Sequence, residues 1–229
     1  MNSLSSPLRH GLHSLVPWAF ALALATSLLG DAAAQAESDP SPHAQLLVAA
    51  RQGQIERVKE LLANGASVNA RNPVGKTPLF IACEKGNTAL GMLLIDAKAD
   101  VNLASTARVT PLMAASYSGE AELVKRLLAA GARTDPVDRM NKSAPVYAAA
   151  QGNTAALDAL LGAGIDVNAT YEHKLTLLMW AAGQGHADTV RLLLARGAKA
   201  DMRDDRGLTA FDIARGAGQA AVAEAAGLH

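Results

Sequence analysis

The chain is predicted to fold as an all-α solenoid of about six 33-residue helix-turn-helix units joined by hairpin loops, and three recurring features predict it. Glycines stand at Gly53, Gly86, Gly119, Gly152, Gly185 and Gly218, each 33 residues after the last. Nine residues before each lies Ala44, Thr77, Thr110, Ser143, Thr176 or Thr209. A paired apolar step follows each of the first five glycines, at Leu61–Leu62, Leu94–Ile95, Leu127–Leu128, Leu160–Leu161 and Leu193–Leu194. Seven residues beyond each pair comes Asn69, Asn102, Asp135, Asn168 or Asp201. A phase held without an insertion means copies of one structural unit.

Each element of the unit has a local reason. A threonine hydroxyl caps the first helix, and proline suits the position after it, where its missing N–H has no partner to lose. Ala82, Ala115, Ala148 and Ala181 recur where neighbouring helices must approach closely. The register glycine ends this helix in a left-handed conformation. The apolar pairs then fall on the inner face of a second helix, with Val58, Val124, Leu157 or Val190 about a turn earlier. Gly65, Gly131, Gly164 and Gly197 stop that helix, with Lys98 as the departure. The Val-Asn segments lead into an extended hairpin toward the next unit. One unit cannot bury its apolar face alone; stacking supplies the core.

The units read Gly-Lys-Thr-Pro-Leu-Phe-Ile-Ala-Cys over 75–83, Thr-Pro-Leu-Met-Ala-Ala over 110–115 and Leu-Thr-Ala-Phe-Asp-Ile-Ala over 208–214. They close on patterns such as Leu-Leu-Ala-Asn-Gly-Ala-Ser-Val-Asn-Ala over 61–70. This resembles the ankyrin repeat, in its period and its Thr-Pro-Leu-x-x-Ala core. The resemblance covers 42–229, with repeats near 42–71, 72–104, 105–137, 138–170, 171–203 and 204–229.

The departures are informative. The hairpin turn reads Gly75, Arg108, Asn141, Lys174 and Gly207. Glycine and asparagine tolerate positive φ there, whereas Arg108 and Lys174 adopt it only at a cost. Repeat four has its proline one place late, in Ser143-Ala144-Pro145, and repeat five has Leu177 in place of proline. Gly91 replaces the second-helix valine of repeat two and is expected to weaken that helix. The last unit, with Ala220–Ala226 and no leucine pair, reads as a short terminal cap.

Residues 1–36 follow another rule. Arg9 precedes an uncharged apolar run from Leu15 to Leu29, and small residues follow through Ala36. This is the form of a secretory signal, cleaved after Ala34 or Ala36. The run is short for a membrane span, and an uncleaved anchor is the competing reading. No cysteine adjoins the run, which argues against a lipid-anchored form. Residues 37–41 read as a polar linker, and Ser41-Pro42 as the start of the first helix. A signal on a small, alanine-rich ankyrin array resembles bacterial periplasmic proteins of this type; that resemblance implies a periplasmic location and no stable membrane insertion after cleavage. Cys83 is the only cysteine, so the core holds the array with no internal disulfide.

The chain balances 21 basic against 21 acidic residues, and this neutrality offers no global field for nucleic acid or anionic lipid. Basic clusters such as Arg71 with Lys76, or Arg139 with Lys142, read as solvated hairpin tips. Gly216-Ala-Gly218-Gln-Ala-Ala221 matches a dinucleotide fingerprint in letters only, since the register puts a helix where a strand is needed. His43, His173 and His186 share no metal-ligand spacing with each other or with Cys83. His186 reads as a structural side chain bonding near a helix junction, and His173 as a tip residue. Cys83 reads as a buried small residue rather than a redox thiol. No nucleophile sits on a Gly-x-Ser-x-Gly turn. No catalytic residue, cofactor or metal site is assigned.

Ankyrin arrays bind partners along a concave face built from hairpin tips and the exposed side of the first helices. Carried onto this register, the resemblance implies a binding surface in four groups. Repeat two contributes Pro73, Val74, Lys76, Glu84 and Lys85, and repeat three Thr106, Ala107, Val109, Tyr117 and Ser118. Repeat four contributes Arg139, Met140, Lys142 and Gln151, and repeat five Glu172, His173, Leu175 and Gln184. Tyr117 and Met140 are the large apolar members. Tyr147 and Trp180 read as core, with partial exposure near the groove as the alternative. The expected protein is thus a monomeric, exported, non-catalytic binding module acting as scaffold or adaptor for another protein. An inhibitor or immunity-type factor that blocks an enzyme is the alternative, and an enzyme with an unrecognised site is the alternative of another class.

Overall fold

The computed structural model describes residues 41–228. The expected signal segment, and all of the linker but Ser41, lie outside the described residues. Twelve α-helices occur among the described residues. They are α1 (Pro42–Arg51), α2 (Ile55–Ala63), α3 (Pro78–Glu84), α4 (Thr88–Asp96), α5 (Pro111–Ser118) and α6 (Ala121–Ala129). Then follow α7 (Ala144–Gln151), α8 (Thr154–Gly162), α9 (Leu177–Gly183), α10 (Ala187–Ala195), α11 (Ala210–Gly216) and α12 (Ala220–Ala225). The helices pair in order, α1 with α2 through α11 with α12. The first helices pack side by side from α1 to α11, and the second helices from α4 to α12 do the same. The result is an all-α solenoid in two layers, as the sequence predicts.

The first layer packs closely because its contact column is alanine. Ala82, Ala115, Ala148, Ala181 and Ala214 have no exposed area at all. Between the layers Leu94, Leu127, Leu160 and Leu193 are fully buried, with Val58, Val124, Leu157 and Val190 beside them. The second leucine of each pair sits nearer the edge, and Leu62, Leu128 and Leu194 are only half-buried. Each buried Leu side chain contributes about 1.5–3 kcal/mol relative to its exposed state, so the interlayer column dominates stability.

The helix starts follow the sequence with one exception. The hydroxyls of Thr77, Thr110, Thr176 and Thr209 accept the N–H three residues on, at 3.1–3.3 Å. Ser41 caps α1 the same way. Ser143 makes no such bond, in the unit whose proline lies a place late. The register glycines all lie at positive φ, between 66° and 86°.

Gly91 has a reason beyond helix propensity. A Cβ at this position would lie 2.6 Å from Leu123 Cδ1 in the next repeat. Leu123, fully buried, takes the space that a valine at 91 would need. The expected weakness of α4 is offset by this packing, and α4 runs its full nine residues.

The units are also stitched by polar side chains. In repeats four and five the residue after the register glycine reaches back to carbonyls of the preceding unit. Asn153 Nδ2 donates to the carbonyls of Ser116 and Tyr117 at 2.9 and 2.7 Å, and the His186 ring nitrogen Nε2 bonds Ala150 O at 3.0 Å. These carbonyls belong to the last turn of a first helix, where intrahelical donors have run out. His186 is therefore the structural side chain its position predicts. At the opposite edge Asn69, Asn102 and Asn168 accept the backbone N–H of Asp100, Arg133 and Lys199 from the following unit. Asp135 breaks this ladder and pairs with Arg133 instead.

Candidate functional site

The five hairpin tips share one backbone design. The opening residue donates its N–H to the carbonyl four residues on, as Asn72 to Lys76, Ser105 to Val109, Asp138 to Lys142, Tyr171 to Leu175 and Asp204 to Leu208, at 2.9–3.1 Å. The turn residue then lies at positive φ: Gly75 at 77°, Arg108 at 64°, Asn141 at 54°, Lys174 at 56° and Gly207 at 79°. The opening side chain relieves the turn where it can accept hydrogen bonds. Asp138 Oδ1 takes the N–H of Met140 and of Lys142, and Asp204 Oδ1 those of Arg206 and Leu208. In repeat five the opening residue is Tyr171, which has no carboxylate to offer. That tip winds into a short 3₁₀ turn, and His173 joins Lys174 at positive φ.

Successive tips are tied by their backbones. The N–H of Thr106 donates to Val74 O, that of Arg139 to Ala107 O and that of Asp205 to His173 O, at 3.0–3.3 Å. Main-chain bonds thus join the tips of repeats two, three and four and those of five and six, while tips four and five meet through Asn141 Nδ2, which donates to Glu172 Oε1 at 3.3 Å.

The candidate residues fall on these tips and on the first helices beside them, in varied surroundings. Pro73, Lys85, Thr106, Ala107, Arg139, Glu172 and His173 are exposed. Val74, Glu84, Val109, Tyr117, Ser118, Met140, Lys142, Gln151, Leu175 and Gln184 are half-buried. Lys76 is a correction. Expected as a solvated tip, it is 5% exposed, with its ammonium 3.0 Å from Glu84 Oε1 and 5.6 Å from the centre of the Phe80 ring. The aliphatic stem and the ring exclude water, and the carboxylate one helix away supplies the countercharge. Lys142 is the second correction: its ammonium lies over the Trp180 ring, 5.6 Å from the centroid. Burial lowers its pKa, against the opposing pull of Asp138 and Glu172. Arg71 and Arg139 are exposed as expected, although Arg71 also bonds Ala104 O.

Repeats three to five bring the aromatic residues together. Tyr117 meets Tyr147 edge to face, with centroids 5.9 Å apart. Tyr147 is buried, and its hydroxyl donates to Asp138 Oδ2 at 2.5 Å. Burial first, and then this hydrogen bond, push its phenol well above the ordinary range. Trp180, one period on, is half-buried under Lys142. Tyr147 is thus core, as its position suggests, while Trp180 takes the alternative of partial exposure. Sequence reasoning did not single out Asp138. The signal was its register with Asn72 and Asp204, which marks it as a tip-closing acceptor.

Charge is segregated although the chain is neutral. The tips over 71–76, 104–109, 137–142, 170–175 and 203–208 hold eight basic residues against four acidic ones. On the second helices the order reverses, and every basic side chain there is paired: Arg57 with Glu60, Lys59 with Glu56, Lys125 with Glu122, Arg126 with Asp96 and Arg191 with Asp188. Cys83 is fully buried and its thiol is pushed far up by desolvation, which leaves it inert at neutral pH. Among the described residues no group of His, Cys, Asp and Glu is placed to hold a metal ion, and no helix is long and apolar enough to cross a membrane.

Comparison with known proteins agrees with this architecture. Residues 46–138 match the family model for ankyrin repeats in three copies, and residues 159–214 the model for ankyrin repeats in many copies. The crystal structure of EF0377, an ankyrin repeat protein, is similar with a TM-score of 0.70 and 29% identity. That match covers 80% of this chain and 97% of the other. No curated protein matches the chain.

Proposed function

Because the chain belongs to the ankyrin-repeat family, whose repeats serve protein–protein interaction, we propose that it is an exported, non-catalytic module that binds another protein through its tip and first-helix face. The observation that carries this reading is the set of bonded hairpin tips that carries half-buried Met140, with half-buried Tyr117 and Trp180 on the first helices beside it. Such a surface is preformed, so a folded partner docks with little reorganisation of the array. Large apolar side chains on a rigid support are the groups that anchor interfaces. The role is that of a scaffold or adaptor.

Partner capture by variants tests this reading. Tyr117→Ala and Met140→Ala should each weaken capture by roughly 1 kcal/mol or more. Tyr117→Ala also loses its ring contact with Tyr147, worth about 1 kcal/mol of stability, so capture must be compared well below the melting midpoint. Lys125→Ala with Arg126→Ala, on the second helix, should bind normally. The opposite pattern would move the interface to the other face of the array.

A further inference from the structure

We propose that the partner presents an acidic segment to the tips of repeats three and four, its carboxylates on Arg108 and Arg139 and an apolar side chain against Met140 and Tyr117. This rests on the docking face proposed above and names the chemistry that the face selects. The first observation is the contrast in pairing. Every basic side chain on the second helices has an acidic partner, whereas among the described residues Arg108 and Arg139 form no ion pair and both are exposed. Exposed Glu172, one period after Arg139, bonds Asn141 instead, and Asp138, the chain neighbour of Arg139, is turned inward. It is 3% exposed and engaged by the Tyr147 hydroxyl and two backbone N–H groups, so it does not answer the guanidinium groups outside.

The second observation is backbone cost. Arg108 occupies a turn position at φ 64° where glycine serves in repeats two and six. A long cation is held at a position that disfavours any side chain, with no ion pair among the described residues to offset that strain. Arg139 lies in the adjacent tip, tied to the first through its N–H to Ala107 O at 3.3 Å. The two charges therefore stand in neighbouring, backbone-tied tips, with Met140 in the second tip and Tyr117 on α5 of repeat three. Planar guanidinium groups so displayed suit bidentate carboxylates, and apolar contact beside them favours a peptide over a uniform polyanion. Because both charges are exposed, the interaction must weaken as salt rises.

Panning a library of random linear peptides against the protein tests the proposal while the partner itself is still unidentified. Peptides rich in Asp or Glu beside an apolar residue should be selected. Their affinity should fall at least about tenfold on Arg108→Glu with Arg139→Glu, and fall with added salt, while Lys125→Glu with Arg126→Glu leaves it unchanged. Melting curves of the tip variant should overlay the native ones, since neither side chain has an ion-pair partner to lose. Selected peptides that need Tyr117 and Met140 but carry no acidic excess would overturn the acidic assignment and leave the docking face standing. Peptides indifferent to both pairs would count against the docking face itself. Failure to select any peptide, or equal binding of an oligothymidylate probe, would also overturn the proposal.

Discussion

Asp138 shows how one side chain serves both the hairpin and the core. Its Oδ1 closes the tip by accepting two backbone N–H groups, and its Oδ2 accepts the buried Tyr147 hydroxyl. Tyr147→Phe removes one donor and should destabilise by about 1 kcal/mol in urea unfolding, whereas Asp138→Ala strands three donors and should cost about 2–3 kcal/mol. Asp204 holds the equivalent place in repeat six. Burial raises its carboxyl pKa, yet the Leu208 N–H, the Arg206 guanidinium and the Arg206 N–H together hold it below the ordinary value. A depressed folded-state pKa stabilises above the unfolded value and loses that stabilisation as pH falls through the folded one. Asp204→Asn should therefore destabilise at pH 7, and the gap from the native protein should begin to narrow as pH falls below about 4. A gap that does not narrow at all as pH falls from about 7 to about 2 would show that the carboxylate charge does not matter. Thr77 and Thr110 were legible in the sequence because a cap bond spans three residues. Lys76 was not, because its burial depends on Glu84 eight residues away, and on Phe80, meeting over the first helix.

At the scale of the element, the apolar column between layers sets the stability. Leu127→Ala and Leu160→Ala each empty a fully buried site and should cost roughly 2–5 kcal/mol, against about 0.5 kcal/mol or less for exposed Lys85→Ala. Equal small losses in urea at all three positions would refute the packing. Gly91 and Leu123 make a sharper test. Gly91→Val alone should overpack the site by about 1–3 kcal/mol, and Leu123→Ala alone should leave a cavity. The double variant should lose less than the sum of the two by about 1 kcal/mol or more. Second helices were readable from spacing, since Leu94, Leu127, Leu160 and Leu193 recur in phase. The compensation at Gly91 was not, because spacing within a repeat is silent about volumes shared between repeats. The tip of repeat five is similar: positive φ at Lys174 follows from register, but the second left-handed residue, His173, belongs to a short 3₁₀ turn that no register position signals.

Over the whole molecule, the candidate face was legible as a set of register positions but not as a charged one. Composition counts 21 cations and 21 anions and predicts no field. Only the arrangement of helices shows that anions on the second layer neutralise their neighbours while Arg108 and Arg139 stand apart. The proposed export belongs to this scale too. The processed protein is expected to begin at Gln35 or Glu37 in the soluble periplasmic fraction. Mass spectrometry that finds an intact segment from Met1 to Leu29 on membranes would refute cleavage.

The main-chain part of the stitching between units also has a direction, although the Arg71, Asn102 and Asn168 side chains donate forward to Ala104, Gly131 and Gly197 O. Asn153 and His186 donate backward to helix carbonyls, and the N–H groups of Thr106, Arg139 and Asp205 donate backward to earlier tips. A chain that emerges from its N-terminal end therefore makes acceptors before it makes the donors that satisfy them. Until the next unit arrives, the newest unit therefore shows an edge that mixes bare carbonyls with a few forward-pointing donors. A stalled or prematurely ended chain would carry that edge permanently, ready to take donors from another molecule.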